Sequence, residues 1–186
     1  MCHAVVGRKQ YLFLLEVDRD IAAQSRARGC RLCGGRLDSA NYLRKPRGLA
    51  FAPTDEEATR LSYCCAACRK RTTPPSVRFL GRRVYAGVAV VLVTAMRVGW
   101  RVGALCARLE VDRRTVARWR TWWRDAFVAS RVWGAIQGLM GGPRPRPEEL
   151  PRALLDRLGG LRRRPVRRLL EWICPLSTAT DPSRDP

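Results

Sequence analysis

The stretch Val102–Trp123, VGALCARLEVDRRTVARWRTWW, decides how the rest of the chain is read. Leu105 and Leu109 stand one helical turn apart, and so, loosely, do Val116 and Trp119. Val111 falls between the pairs, where a turn residue fills the angle between two helices. Asp112 is placed to cap the second helix, its carboxylate accepting from the free N–H groups of that first turn. With these residues turned inward, Arg113, Arg114, Ala117, Arg118 and Thr121 share the outer face. This is the pattern of a helix-turn-helix whose second helix is strongly basic. Trp119, Trp122 and Trp123 lie on the face of Val116, so they are read as core rather than as stacking platforms.

Working backwards, Arg83–Arg97 has helical length but apolar residues on almost every side. Its valines would also suit a buried strand. A helix is expected, because the helix pair needs a third helix over its inner side, with Val84, Val88, Val91, Leu92 and Ala95 as the stripe and Gly99 as the break.

Further upstream, Cys30-Arg-Leu-Cys33-Gly34-Gly35 and Cys65-Ala-Ala-Cys68 form two C-x-x-C pairs separated by 31 residues. Two such pairs supply the four thiolates of a closed structural zinc site. Cys64 offers an alternative register with a three-residue gap to Cys68; Cys65 is preferred because it restores the symmetric spacing. Pro46-Arg47-Gly48 and Pro53–Glu57 read as loop, with Asn41–Lys45 and Arg60–Cys64 as flanking strands. The arrangement looks like a zinc ribbon whose metal, Zn2+, supplies much of its stability. Cys2, His3, Cys106 and Cys174 have no spacing partners and are read as incidental.

Composition limits the partners. The 186 residues are 46% hydrophobic, enough for a core, yet the formal charge is +20. From Arg69 to Arg131 there are fifteen basic residues against three acidic ones, a net of +12. A chain this basic points to a polyanion, and double-stranded DNA is the expected partner. No apolar run has the length of a membrane span or the form of a secretory leader, so a cytoplasmic, nucleoid-associated protein is expected. One histidine, the absence of a Walker or dinucleotide glycine loop, and carboxylates scattered through linker, short helix and tail argue against a catalytic chain.

The expected fold is mainly α with a small β zinc ribbon and a three-helix helix-turn-helix domain after it. Its parts are an N-terminal helix in 1–28 (helical from Tyr11 to Arg26 on Leu14, Val17 and Ile21), the ribbon in 29–73 and the helix-turn-helix domain in 76–140. A Pro/Arg-rich linker with short basic helices follows in 141–176, and a disordered tail in 177–186.

The order of ribbon, apolar helix and helix pair resembles the N-terminal DNA-recognition region of bacterial insertion-sequence transposases. The matching residues are the two C-x-x-C pairs and LCARLEVDRRTVARW, within about residues 28–125. The resemblance implies recognition of element-end DNA, with the ribbon beside the duplex. Two departures stand out: such turns usually carry Gly where this chain has Glu110, and the three-carboxylate catalytic domain of those enzymes has no counterpart here.

The function expected is therefore that of a zinc-stabilised, sequence-specific DNA-binding protein, transposase-related or an accessory factor of a mobile element, which a transposase or other protein would join. Arg113, Arg114 and Arg118 are the candidates for base edges, and Thr115, Arg120 and Arg124 for phosphate. Arg69, Lys70 and Arg71 would add phosphate contacts from the ribbon. The alternatives are a transcriptional regulator, an RNA- or ribosome-associated basic zinc protein, or an adaptor that docks a larger enzyme.

Overall fold

A computed structural model of the chain describes residues 7–80, 85–96, 100–160 and 162–177. The first helix, α1 (Arg8–Arg28), is longer at both ends than the expected Tyr11–Arg26. It buries Tyr11, Leu14, Leu15, Asp18 and Ala22, while Val17 and Ile21 pack at the margin. The inward stripe thus has a carboxylate at its centre, which hydrophobic periodicity alone does not anticipate.

Next come five short strands: β1 (Leu37–Ser39), β2 (Tyr42–Leu43), β3 (Thr59–Arg60), β4 (Tyr63–Cys65) and β5 (Arg71–Thr72). They form two antiparallel sheets, β1-β4-β5 and β2-β3. In the first, Leu37 faces Cys65 and Tyr63 faces Thr72. The turn-rich Pro53–Glu57 stretch holds one helical turn, α2 (Asp55–Ala58), rather than loop alone. Thr54 caps it, its hydroxyl accepting from the Glu57 N–H while the Glu57 carboxylate accepts from the Thr54 N–H. A small core of Cys30, Leu37, Tyr63 and Cys65 closes against Ala22 of α1.

The apolar segment is the helix α3 (Gly87–Ala95), and all nine of its residues are buried. Val88, Val91, Leu92 and Ala95 are in the core as expected, but so are Ala89, Val90 and Val93 on the other sides. Val84 and Gly99 lie outside the described residues. A helix apolar all round must be covered all round, and the cover comes from the chain's C-terminal third.

Two helices, α4 (Trp100–Arg108) and α5 (Arg113–Trp122), follow, joined by residues 109–112. The Asp112 carboxylate accepts from the Arg114 N–H at 2.6 Å. Glu110, with φ of +51°, makes the left-handed step of the turn. From Trp123 to Phe127 the helix widens into a π turn, and Ser130 then caps a separate helix, α6 (Arg131–Met140). Trp123 is wholly buried, its indole N–H donating to Thr94 Oγ1 of α3 at 3.0 Å. Trp119 meets Tyr85 edge-on at 4.9 Å, and Trp122 packs on Trp123 at the same separation. The three indoles belong to the packing, as their spacing implied.

Residues 141–176 are more than a linker carrying short basic helices. After a turn through Gly141 and Gly142, a 3₁₀ turn (Pro147–Glu149), α7 (Arg152–Arg157) and α8 (Arg163–Ile173) pack back on the body. Leu150, Leu154, Leu155, Val166, Leu169, Leu170 and Ile173 share one buried cluster with α1, α3, α4, α5 and α6. At Gly87 a Cβ would stand 3.1 Å from Leu170 Cδ2 and 3.2 Å from the Val77 carbonyl, so glycine lets α3 and α8 close together. The expected tail falls, from residue 178 onward, outside the described residues. Among the described residues no helix is long and apolar enough to cross a membrane.

Candidate metal centre and basic helix face

Each C-x-x-C pair is built the same way. After the second cysteine the chain takes a left-handed step, at Gly34 (φ +70°) in one knuckle and Arg69 (φ +59°) in the other. The N–H of that residue donates to the carbonyl of the first cysteine, Gly34 to Cys30 at 2.8 Å and Arg69 to Cys65 at 3.1 Å. The N–H of the first cysteine in turn donates across the loop, Cys30 to Gly35 at 2.9 Å and Cys65 to Lys70 at 3.0 Å. Two superimposable loops thus offer two sulfurs each. The sulfurs of Cys30, Cys33, Cys65 and Cys68 all lie within 4.8 Å of one another. The contacts between knuckles are 3.6 Å for Cys30–Cys68 and 3.5 Å for Cys33–Cys65. A tetrahedral ion with 2.3 Å bonds to sulfur sets its ligands about 3.8 Å apart, so the cluster could hold a metal ion with little movement.

The local electrostatics agree with thiolate chemistry. The Cys65 thiol is lowered to about 6, first by the Cys68 N–H, with Cys33 adding to it. The Lys70 N–H favours the thiolate of Cys68 as well, but burial and the sulfurs of Cys33, Cys65 and Cys30 outweigh it and push Cys68 up to about 12. Four sulfurs this close resist full ionisation until a cation stands among them. Gly35 has no room for a side chain, since a Cβ there would be 3.0 Å from Cys65 Sγ and 3.3 Å from Cys33 Sγ. Cys64 turns away, towards the Arg69 carbonyl at 3.4 Å, so the symmetric register with Cys65 is the one adopted.

The second feature is the outward side of α5. Arg113, Arg114, Ala117, Arg118, Thr121 and Arg124 are exposed, while Val116 and, in the connecting turn, Leu109 and Val111 are buried beneath them. Two residues expected on this surface are not free to serve there. Thr115 is only 5% exposed; its hydroxyl accepts from Arg118 Nη2 at 2.8 Å, so it orients an arginine and does not itself reach outward. Arg120 is half-buried and donates to the Met96 carbonyl at the end of α3 (3.2 Å). On the ribbon, Arg69 and Lys70 are exposed, but Arg71 is tied to the Ala40 carbonyl (2.9 Å) and Ser62 Oγ (3.1 Å).

The α5 face borders a groove of about 1230 Å³. Arg113, Thr121 and Arg124 line one side, and Glu148, Glu149 and Arg152 the other. Sequence reading did not bring Arg152 to this face. Its only local signal was the helix start at Pro147, and its placement depends on the return of α7 and α8 across α3. The chain matches no protein-family model, no characterised protein and no solved structure.

Proposed function

We propose that this chain is a zinc-stabilised, sequence-specific DNA-binding protein, related to insertion-sequence transposases or serving a mobile element as an accessory factor, and not itself a catalyst. One observation carries the reading. The helix α5 hides its apolar side and turns outward a side bearing Arg113, Arg114, Arg118 and Arg124, with small residues (Ala117, Thr121) between them. A helix with long cations around a low-relief centre suits the major groove, where Arg reaches guanine O6 and N7 with two hydrogen bonds. Arg114 and Arg118 are assigned to base edges, and Thr115 supports the second of them. Arg113 and Arg124, together with Arg152, are assigned to phosphate. Zn2+ would be held by Cys30, Cys33, Cys65 and Cys68, fixing the ribbon that carries Arg69 and Lys70.

Selection of binding sites from random duplex DNA, followed by titration at fixed salt, tests this. A defined site should emerge. Arg114→Ala should lose about 1–3 kcal/mol on that site and relax the preference at one base pair. Uniform weakening on every sequence would remove Arg114 from base reading, and a preference for structured RNA over duplex DNA at matched salt would overturn the proposal.

Native mass spectrometry tests the metal separately. One zinc per chain is expected, and Cys33→Ser should release it while the helical body stays folded. A fully folded ribbon without metal would refute the assignment.

A further inference from the structure

A second cavity, of about 260 Å³, lies where α6 meets the chain returning into α7. Trp133, Gln137 and Met140 line it from α6, and Arg144, Leu154 and Arg157 line it from the return. Trp133 is 2% exposed, and its indole N–H has no acceptor. A buried donor without a partner is costly, and an indole nitrogen can only donate, so whatever completes this site carries an acceptor.

The surroundings specify the charge of that acceptor. Arg144 Nη2 donates to Gln137 Oε1 at 2.6 Å, and Arg157 is held by the carbonyls of Gly141, at 3.1 Å, and Pro143. These bonds fix two guanidiniums at the cavity and leave each with further N–H donors. No carboxylate is among the described residues that line it. The neighbouring Asp156 is taken by Arg152, both oxygens accepting from Nε at 2.8 Å.

The shape adds a second condition. Met140, Leu154 and the indole ring give the cavity an apolar part. A hydrated inorganic anion would leave that part unfilled. The volume is far above the roughly 30 Å³ share of one water and just under the range of about 300–1,000 Å³ usual for ligand pockets. The ligand is therefore small, with one anionic end.

We propose that this cavity binds a small carboxylate with an apolar body, its oxygens accepting from the Trp133 indole N–H and from Arg144 and Arg157. The site is independent of the DNA-reading face, and so is its test. The full chain with its metal is labelled with ¹⁵N, its six tryptophan indoles are assigned, and benzoate is titrated against sodium chloride at equal ionic strength. The expected result is a saturable downfield shift of the Trp133 indole proton with benzoate alone. Arg144→Gln, a change at an exposed side chain, should weaken benzoate about tenfold, the loss of one charge-assisted hydrogen bond. An indole resonance that does not move, that responds equally to chloride, or that titrates unchanged in Arg144→Gln would each overturn the site. A lone bound water, seen as exchange cross-peaks to that indole with no benzoate response, would overturn it too.

Discussion

Glu110 takes the left-handed step between α4 and α5 with φ of +51°, and Arg69 takes its counterpart in the second knuckle with φ of +59°. A side chain bearing Cβ in this region costs roughly 1–2 kcal/mol, less for Asn, whose short amide bonds locally. Glu110 is exposed, so nothing in the core holds it to glutamate. Glu110→Asn should raise unfolding stability by about 0.5–1 kcal/mol, read from the midpoint in urea at constant slope; a loss of stability would mean that the Glu110 side chain contributes more than its backbone costs. At this scale the sequence was informative wherever one residue does one job. The capping role of Asp112, the turn at position 110 and the choice of Cys65 over Cys64 all follow from local chemistry. Thr115 was misassigned for a related reason: a hydroxyl on a basic helix looks available until its neighbours are placed around it.

Among the elements, α2 is the one that local reading passed over. Prolines and acids at 53–57 suggest loop, but Thr54 and Glu57 form a capping box, and Glu57 is drawn into long-range pairing. Arg8 Nε and Nη2 donate to its two oxygens at 2.7 and 2.9 Å, and Tyr11 donates to its carbonyl at 3.2 Å. The Arg8 hydrogen bond, followed by the Thr54 N–H, holds the Glu57 carboxyl down to about 2. Between that value and the ordinary 4.5 the unfolded chain binds the extra proton, so stability rises with pH through this window and is lost as pH falls through it. Arg8 is half exposed and solvent weakens the pair. The stability difference between wild type and Glu57→Gln should therefore shrink as the pH is lowered from 5.5 to about 2.5; a difference that stays constant in acid urea titrations would dissociate Glu57 from acid sensitivity. Long helices with a clear period were legible. Contacts spanning tens of residues, such as Arg8–Glu57, were not, because nothing local marks them.

For the molecule as a whole, the ribbon is joined to the helical body by a buried charge. Asp18 of α1 is 1% exposed and accepts from the Val77 N–H (2.7 Å), the Ser76 hydroxyl (2.6 Å) and Arg78 Nε (2.7 Å). Arg78, wholly buried, also donates to the carbonyls of Glu57 (2.7 Å) and Thr59 (2.8 Å). One guanidinium thus ties together α1, the end of α2 and the segment leading to α3, with every oxygen and nitrogen in the joint engaged. Asp18→Ala would strand the cation, at a cost of about 3–5 kcal/mol. Thermal unfolding with zinc present should show that loss; a change below about 1 kcal/mol would mean that water enters and solvates Arg78. Composition indicated enough apolar residues for a core and periodicity indicated which helices, but neither indicated that residues on both sides of the Gly-Pro-Arg stretch at 141–147 share that core.

The burial of α3 on every side has a further consequence. Helix pairs of this kind are commonly imagined as cassettes, portable between proteins with a linker at either end. Here α3 is held by α5 on one side and by α8 on another, so the surface that would read DNA and the C-terminal third rest on a common beam. A change in the leucines of α8 is therefore a change in the footing of α5. In this chain, the residues free to vary without disturbing recognition are set by distance from α3 and not by distance along the sequence.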